Sequence, residues 1–123
     1  MAKKILVADD SPLIRRMLCR IFEVQEDYDL CAEAENGKEA IALSIKHQPD
    51  LIILDLEMPI MNGADAAREI KQVLPGDPII LFTQYGDLAT GPALMNLPGV
   101  RVVSKTDGHL LIGHIRSLIP ASS

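Results

Sequence analysis

Residues 51–59 read LIILDLEMP and hold the strongest structural signal in the chain. Leu51–Leu54 is a continuous apolar run of strand length, which is typical of a strand buried on both faces of a parallel sheet. A carboxylate, Asp55, follows at once, and a loop through Met58-Pro59 leads to Asn62-Gly63. We therefore predict that a buried strand ends at Leu54 and places Asp55 at the edge of a sheet.

Similar apolar runs lie on both sides of this strand, separated by segments with helical periodicity. The four other predicted strands are Lys4–Ala8, Leu30–Ala34, Pro78–Phe82 and Val100–Val103. Strands that alternate with helices form right-handed crossovers and a parallel sheet covered on both faces. The predicted fold class is therefore α/β, a doubly wound parallel sheet of five strands. Its second strand is expected at an edge, because acidic and apolar residues alternate there.

Local signals mark the helix ends. Ser11-Pro12 provides a capping side chain followed by proline at the first helical position. Asp107 is expected to cap the last helix. Gly91-Pro92 lies where the pattern calls for a helix interior, so we expect a short or broken helix within Asp87–Pro98.

The composition excludes several classes of protein. A chain of 123 residues has room for one domain, and its apolar runs fall far short of the ~20 residues that a membrane helix needs. The net charge of −5, without a tract of Lys or Arg, argues against binding to nucleic acid or anionic membranes. We expect a soluble cytoplasmic protein with no direct DNA binding.

Cys19 and Cys31 form no CxxC motif, and we expect two buried free thiols.

Polar residues stand where four of the predicted strands end. They are Asp9 and Asp10 after the first strand, Asp55 after the third, Thr83 after the fourth and Lys105 after the fifth. Because parallel strands end at the same edge, we expect these side chains to converge on one crevice. Clustered carboxylates need a compensating cation, and an oxygen-only ligand set suits Mg²⁺. Together with a lysine and a hydroxyl, they indicate a phosphoryl-transfer site with an aspartate nucleophile.

These motifs resemble the receiver domain of two-component response regulators. The matching features cover essentially the whole chain in the family's order, and they are residues 5–12 (ILVADDSP), residues 54–59 (LDLEMP), Asn62-Gly63, Thr83 and Lys105. The element D-x-x-M-P-x-x-N-G, which begins at Asp55, is the most specific of them. The resemblance implies a flavodoxin-like sheet with strand order 2-1-3-4-5.

The resemblance also implies a role for each site residue. Asp55 is the phosphoacceptor, Lys105 contacts the phosphoryl oxygens, and Thr83 is the switch hydroxyl that moves to bind them. That movement repacks the surface formed by the helix after the fourth strand, the fifth strand and the last helix. The implied Mg²⁺ ligands are Asp10, Asp55, the backbone carbonyl of Glu57 and, through water, Asp9.

Partners and domain organisation follow from the same resemblance. Residues 1–120 are expected to form the receiver domain and residues 121–123 a short polar tail, with no output domain. Such a module is not a conventional enzyme. Its expected partners are a sensor histidine kinase or phosphotransfer protein and a separate downstream effector protein. The resemblance is also compatible with a homodimer that forms on phosphorylation.

Four positions are expected to tune the switch: Glu57, Gln84, Tyr85 and Val102. The family usually has a small residue where Gln84 stands, and the larger side chain is expected to narrow access to Asp55. Val102 stands where the family usually has an aromatic residue that packs with Thr83. Tyr85 is either a substitute for that aromatic or a partly exposed loop residue. Glu57 and Tyr85 are expected to hinder attacking water, which predicts a long-lived phosphorylated state.

Two other functions remain open at this point. A degenerate receiver would act as a constitutive interaction module without phosphorylation, and Gln84 and Val102 leave room for it. A phosphatase with an aspartate nucleophile needs a second acidic residue two positions after the nucleophile, where Glu57 stands. Met58-Pro59 and the lack of a substrate-cap insertion argue against that enzyme.

Two further groups of charged residues are expected on the surface. The first helix carries a basic stripe, either a solvated face or part of a kinase docking surface, made of Arg15, Arg16 and Arg20. The histidines match no strand end and are expected on helix surfaces: His47, His109 and His114.

Overall fold

Five parallel strands and four α-helices make up the computed structural model, which describes residues 2–84 and 97–120. The strands are β1 (Lys3–Ala8), β2 (Tyr28–Ala34), β3 (Leu51–Leu54), β4 (Ile79–Thr83) and β5 (Val100–Ser104). They lie in the order β2-β1-β3-β4-β5, and all neighbouring strands are parallel. The predicted fold class, strand order and edge position of β2 are confirmed.

Three of the described helices connect successive strands, and the fourth follows β5. They are α1 (Pro12–Glu23), α2 (Gly37–His47), α3 (Gly63–Val73) and α4 (Leu111–Leu118), and a 3-10 helix spans Lys105–Leu110. Ser11, Asn36 and Asn62 cap the first three, because each side chain accepts a hydrogen bond from a backbone N–H three residues later. These caps fix where each helix begins after the strand before it.

Helices cover both faces of the sheet. On one face α1 and α4 bury Leu18, Phe22, Leu111 and Ile115. On the other face α2 and α3 bury Ala40, Ala66, Ala67 and Ile70. β3 and β4 are buried along their whole length, which explains why every residue in them except the last residue of β4, Thr83, is apolar. Their carboxyl ends therefore meet at one edge of the core.

The chain after β5 differs from the prediction. The Ser104 hydroxyl accepts a hydrogen bond from the Thr106 N–H at 3.2 Å and begins the 3-10 helix. Asp107 lies at a kink within this segment, with a φ of −103° and a ψ of 28°, and α4 begins only at Leu111, without a side-chain cap. The prediction that Asp107 caps the last helix is wrong, because a capping residue at the strand end turns the chain earlier. The broken helix predicted within Asp87–Pro98 falls on residues 85–96, outside the described part of the chain.

Both cysteines are free, as predicted, but each is half-buried rather than buried. The pairing of β2 with β1 passes from Leu30 opposite Ile5 to Ala32 opposite Leu6 and so skips Cys31. Such a bulge turns a side chain out of the regular alternation of a strand. The thiol of Cys19 lies 3.7 Å from a carboxylate oxygen of Glu23 on the exposed side of α1. The predicted burial of the two thiols is therefore wrong.

The histidines lie on helical segments, as expected. His109 is exposed, whereas His47 and His114 are half-buried. No helix among the described residues is long and apolar enough to cross a membrane.

Candidate functional site

A crevice of about 980 Å³ opens at the carboxyl edge of the sheet. Its lining includes three carboxylates, a hydroxyl and an ammonium, contributed by Asp9, Asp10, Asp55, Thr83 and Lys105. The structure thus brings together the polar residues that the sequence places at strand ends. Glu57 and Gln84 also line the crevice, and both are exposed.

Asp9 is held from four directions. Its N–H donates to the carbonyl of Ala34 at 3.0 Å, and its own carbonyl accepts from Nη1 of Arg15 at 2.6 Å. Its Oδ1 accepts from the N–H of Ser11 at 2.9 Å, and its Oδ2 lies 2.8 Å from Nζ of Lys105. Asp9 is 2% exposed, so these contacts replace the water that a carboxylate would otherwise bind.

Asp55 is the second buried carboxylate, with 7% exposure, and its Oδ1 lies 3.4 Å from Nζ of Lys105. Burial, reinforced by the charge of Asp9, raises the pKa of Asp55 to about 6, although Lys105 offsets part of this effect. Burial alone would lower the pKa of Lys105. Its hydrogen bond to Asp9 and the charges of both carboxylates outweigh burial and raise that pKa. Lys105 is therefore a fixed positive charge between two carboxylates.

The donor set of this cluster fits a hard divalent cation. Asp9, Asp10 and Asp55 each offer a carboxylate oxygen, and the three oxygens lie within 4.8 Å of one another. Asp10 is exposed and reaches the cluster from the open side. Oxygen ligands from only a few carboxylates are what Mg²⁺ takes in proteins, with water completing its shell.

The loop between β3 and α3 folds back onto Asp55. The Gly63 N–H donates to the carbonyl of Leu56 at 2.8 Å. Ile60, in the same loop, has a φ of 70°, a left-handed conformation that costs a branched residue about 1–3 kcal/mol. A Cβ at Gly63 would lie 2.1 Å from the carbonyl oxygen of Asp55. The start of α3 therefore presses directly on the backbone that carries this carboxylate.

Comparison with known proteins decides the family. Residues 5–116 match the response regulator receiver domain. The chain belongs to this family. That match spans the whole crevice, from Asp9 to Lys105.

Individual relatives place the receiver domain in proteins of different lengths. The chemotaxis protein CheY of Halobacterium salinarum is 42% identical over 86 residues, which make up 70% of this chain and 70% of that protein. The protein-glutamate methylesterase/protein-glutamine glutaminase 2 of Photobacterium profundum is 46% identical over 97 residues, or 76% of this chain. The matched part is 24% of that relative, so the chain spans about a quarter of its length.

A solved structure supports the same assignment. The response regulator protein TrrA of Thermotoga maritima, in complex with Mg²⁺-BeF, is 33% identical, with a TM-score of 0.80. The superposition covers 95% of this chain and 99% of that one.

The structure describes three of the four positions that are expected to tune the switch. Val102 is half-buried in β5 and pairs with Leu81 of β4. Thr83 is buried at the end of β4, one residue before the exposed Gln84. Tyr85, the candidate aromatic partner of Thr83, lies outside the described residues.

Sequence reasoning missed the contacts of Arg15. Its side chain is 13% exposed and lies 3.5 Å from a carboxylate oxygen of Glu33 and 3.4 Å from one of Glu35. A solvated face is therefore the wrong description of Arg15, although Arg16 and Arg20 are exposed. The signal was present, because Glu33 lies near the end of β2, the strand that pairs with β1, and Glu35 follows that strand.

Asp55→Asn is expected to stabilise the metal-free receiver domain by about 1–3 kcal/mol near pH 7.5. Because the folded pKa of Asp55 lies above its unfolded value, the folded state holds this proton more tightly. The ionisation penalty is absent below about pH 4, grows as the pH rises towards about 6 and then stays constant. Urea unfolding followed by circular dichroism, in chelator, measures it.

The matched control is Asp29→Asn, which neutralises an exposed carboxylate on β2. It should change the unfolding free energy by less than about 0.5 kcal/mol. If Asp55→Asn were no more stable than the wild type at about pH 7.5, ionisation of the buried Asp55 carboxylate would not destabilise the folded state.

Proposed function

We propose that this chain is a phosphoacceptor signalling module, in which Asp55 receives a phosphoryl group from the phosphohistidine of a sensor histidine kinase or phosphotransfer protein. The observation that carries this proposal is the nearly buried Asp55 beside Lys105, in one crevice with Asp9 and Asp10. Membership of the receiver family supports it.

In the proposed phosphoryl transfer, the protein contributes mainly the position of the reacting groups and the neutralisation of their charge. An ionised oxygen of Asp55 attacks the phosphorus, so that an O–P bond forms as the N–P bond of the phosphohistidine breaks. The imidazole nitrogen keeps the bonding electron pair and takes a proton from solvent. Lys105, already 3.4 Å from Asp55, is placed to contact the phosphoryl oxygens. Thr83 supplies a hydroxyl from the same edge of the sheet.

The carboxylates of the crevice divide into two roles. Asp9 already bonds Lys105 and the N–H of Ser11, so we assign it to the cation through water. Asp10 and Asp55 would be the direct ligands, together with the backbone carbonyl of Glu57. Mg²⁺, when bound, would neutralise the carboxylates and the transferred phosphoryl group.

The output of the module is a change in its protein contacts rather than turnover of a substrate. In this proposal the contacts of Thr83 and Lys105 change when Asp55 carries the phosphoryl group, and the change reaches the surface beyond the ends of β4 and β5. The proposed readers are a separate effector protein or a second copy of the chain, in the cytoplasm.

The test is covalent modification of Asp55. The protein is incubated with Mg²⁺ and phosphoramidate or acetyl phosphate and measured by intact mass. Wild type and Asp29→Asn should gain one phosphoryl group, whereas Asp55→Asn and wild type in chelator should gain none. Failure of the wild type with every donor would favour a constitutive interaction module, and continuous phosphate release from a simple ester would favour a phosphatase.

A further inference from the structure

We propose that Arg15 is a positioning residue for the metal site, an inference that rests on the proposed function. Its Nη1 donates to the carbonyl oxygen of Asp9 at 2.6 Å. That carbonyl belongs to the peptide group that joins Asp9 to Asp10. Because a peptide group is planar, a bond to its oxygen helps to hold the N and Cα atoms of Asp10, from which the Asp10 side chain leaves the backbone.

The guanidinium is itself held by two carboxylates. Its Nε lies 3.5 Å from Glu33 and its Nη2 lies 3.4 Å from Glu35, while Nη1 serves Asp9. Three nitrogens of one planar group thus contact three acceptors: the carbonyl of Asp9, just after β1, and the carboxylates of Glu33, in β2, and Glu35, just after it. A lysine has a single nitrogen on a flexible stem and cannot make this arrangement.

Asp10 depends on this support more than Asp9 does. Asp9 is buried and keeps three other contacts, to Ala34, Ser11 and Lys105, when Arg15 is removed. Asp10 is exposed, so its orientation relies on the peptide that precedes it. Loss of Arg15 should therefore leave the fold of the loop in place but make the orientation of the Asp10 carboxylate less well defined.

Positioning and simple charge predict opposite signs for the same substitution. Arg15 is a cation near the proposed Mg²⁺ site, so a purely electrostatic role means that its removal strengthens Mg²⁺ binding. A positioning role means that its removal weakens binding, as happens when residues that orient metal ligands are lost. The direction of the change therefore separates the two.

The experiment is a Mg²⁺ titration of the ¹⁵N-labelled protein by NMR, well below the unfolding transition. Arg15→Met should raise the Mg²⁺ Kd about tenfold and Arg15→Lys at least about threefold. Arg16→Met, which removes an exposed charge from the same helix, should stay within about twofold of the wild type. Because the folded state is titrated, a loss of global stability alone does not move these constants.

The outcomes separate this inference from the proposed function. If the wild type binds Mg²⁺ and both Arg15 variants bind it equally well or more tightly, the role of Arg15 is refuted and the metal site stands. If Arg15→Lys matches the wild type, the planar three-nitrogen arrangement is not required and the inference is refuted. If the wild type shows no saturable Mg²⁺ binding, the proposed metal site fails and the inference fails with it.

Discussion

Lys105→Met is expected to lower the free energy of unfolding of the metal-free protein by about 2–4 kcal/mol near pH 7.5. The ammonium lies 2.8 Å from Asp9 and 3.4 Å from Asp55, and the carboxylate side chains are only 3% and 8% exposed. Removal of one partner leaves two buried carboxylates without a compensating charge, which costs far more than the loss of a surface ion pair. Urea unfolding in chelator measures the change.

The loss should depend on pH and on the second carboxylate. It should shrink at about pH 5, because Asp55 then takes up a proton and one of the two uncompensated charges disappears. For the same reason, Lys105→Met should cost less in an Asp55→Asn background, with a coupling energy of about 1–2 kcal/mol. Mg²⁺ should raise the Tm of Lys105→Met more than that of the wild type, because the cation replaces the missing charge.

Lys38→Met is the matched control, since Lys38 is exposed on α2 and lies outside the crevice. It should leave the unfolding free energy within about 0.5 kcal/mol of the wild type. Equal stability of Lys105→Met and Lys38→Met in chelator would contradict the account of the crevice as a buried and under-compensated cluster.

Much of the fold was accessible from the sequence because burial leaves a pattern. β3 and residues 79–82 of β4 are buried, and their sequences are apolar without interruption. A polar residue directly after such a run marks the point where the strand leaves the core. For this reason the sequence predicts that Asp55, Thr83 and Lys105 lie at one edge of the sheet, whereas their roles are proposals.

What the sequence did not show depends on pairing across the sheet. The bulge at Cys31 arises from the register between β1 and β2, which no local pattern records. Whether Arg15 points to solvent or to Asp9 depends on where β2 brings Glu33. Asp107 failed as a cap because Ser104, also a good capping residue, comes first along the chain. In each case a local preference was present and a contact from elsewhere decided the outcome.

Gly63→Ala is expected to destabilise the protein by about 3 kcal/mol or more. The added Cβ would lie 2.1 Å from the carbonyl oxygen of Asp55, 2.9 Å from its carbonyl carbon and 3.0 Å from Cα of Leu56. All three atoms belong to the backbone, so no side-chain rotation relieves the clash. Either α3 moves away from β3 or the backbone of Asp55 shifts, and both changes disturb the crevice.

Gly113→Ala provides the control within the same chain. Gly113 lies in α4 with open space around the position of a Cβ, so alanine should stabilise the protein by about 0.5–1 kcal/mol through helix propensity. The two variants add the same methyl group and should change urea stability in opposite directions. A Gly63→Ala protein as stable as the wild type would show that α3 does not press on Asp55. If the variant folds, its phosphoryl uptake from acetyl phosphate should still fall, because relief of the clash has to move the backbone that carries the acceptor.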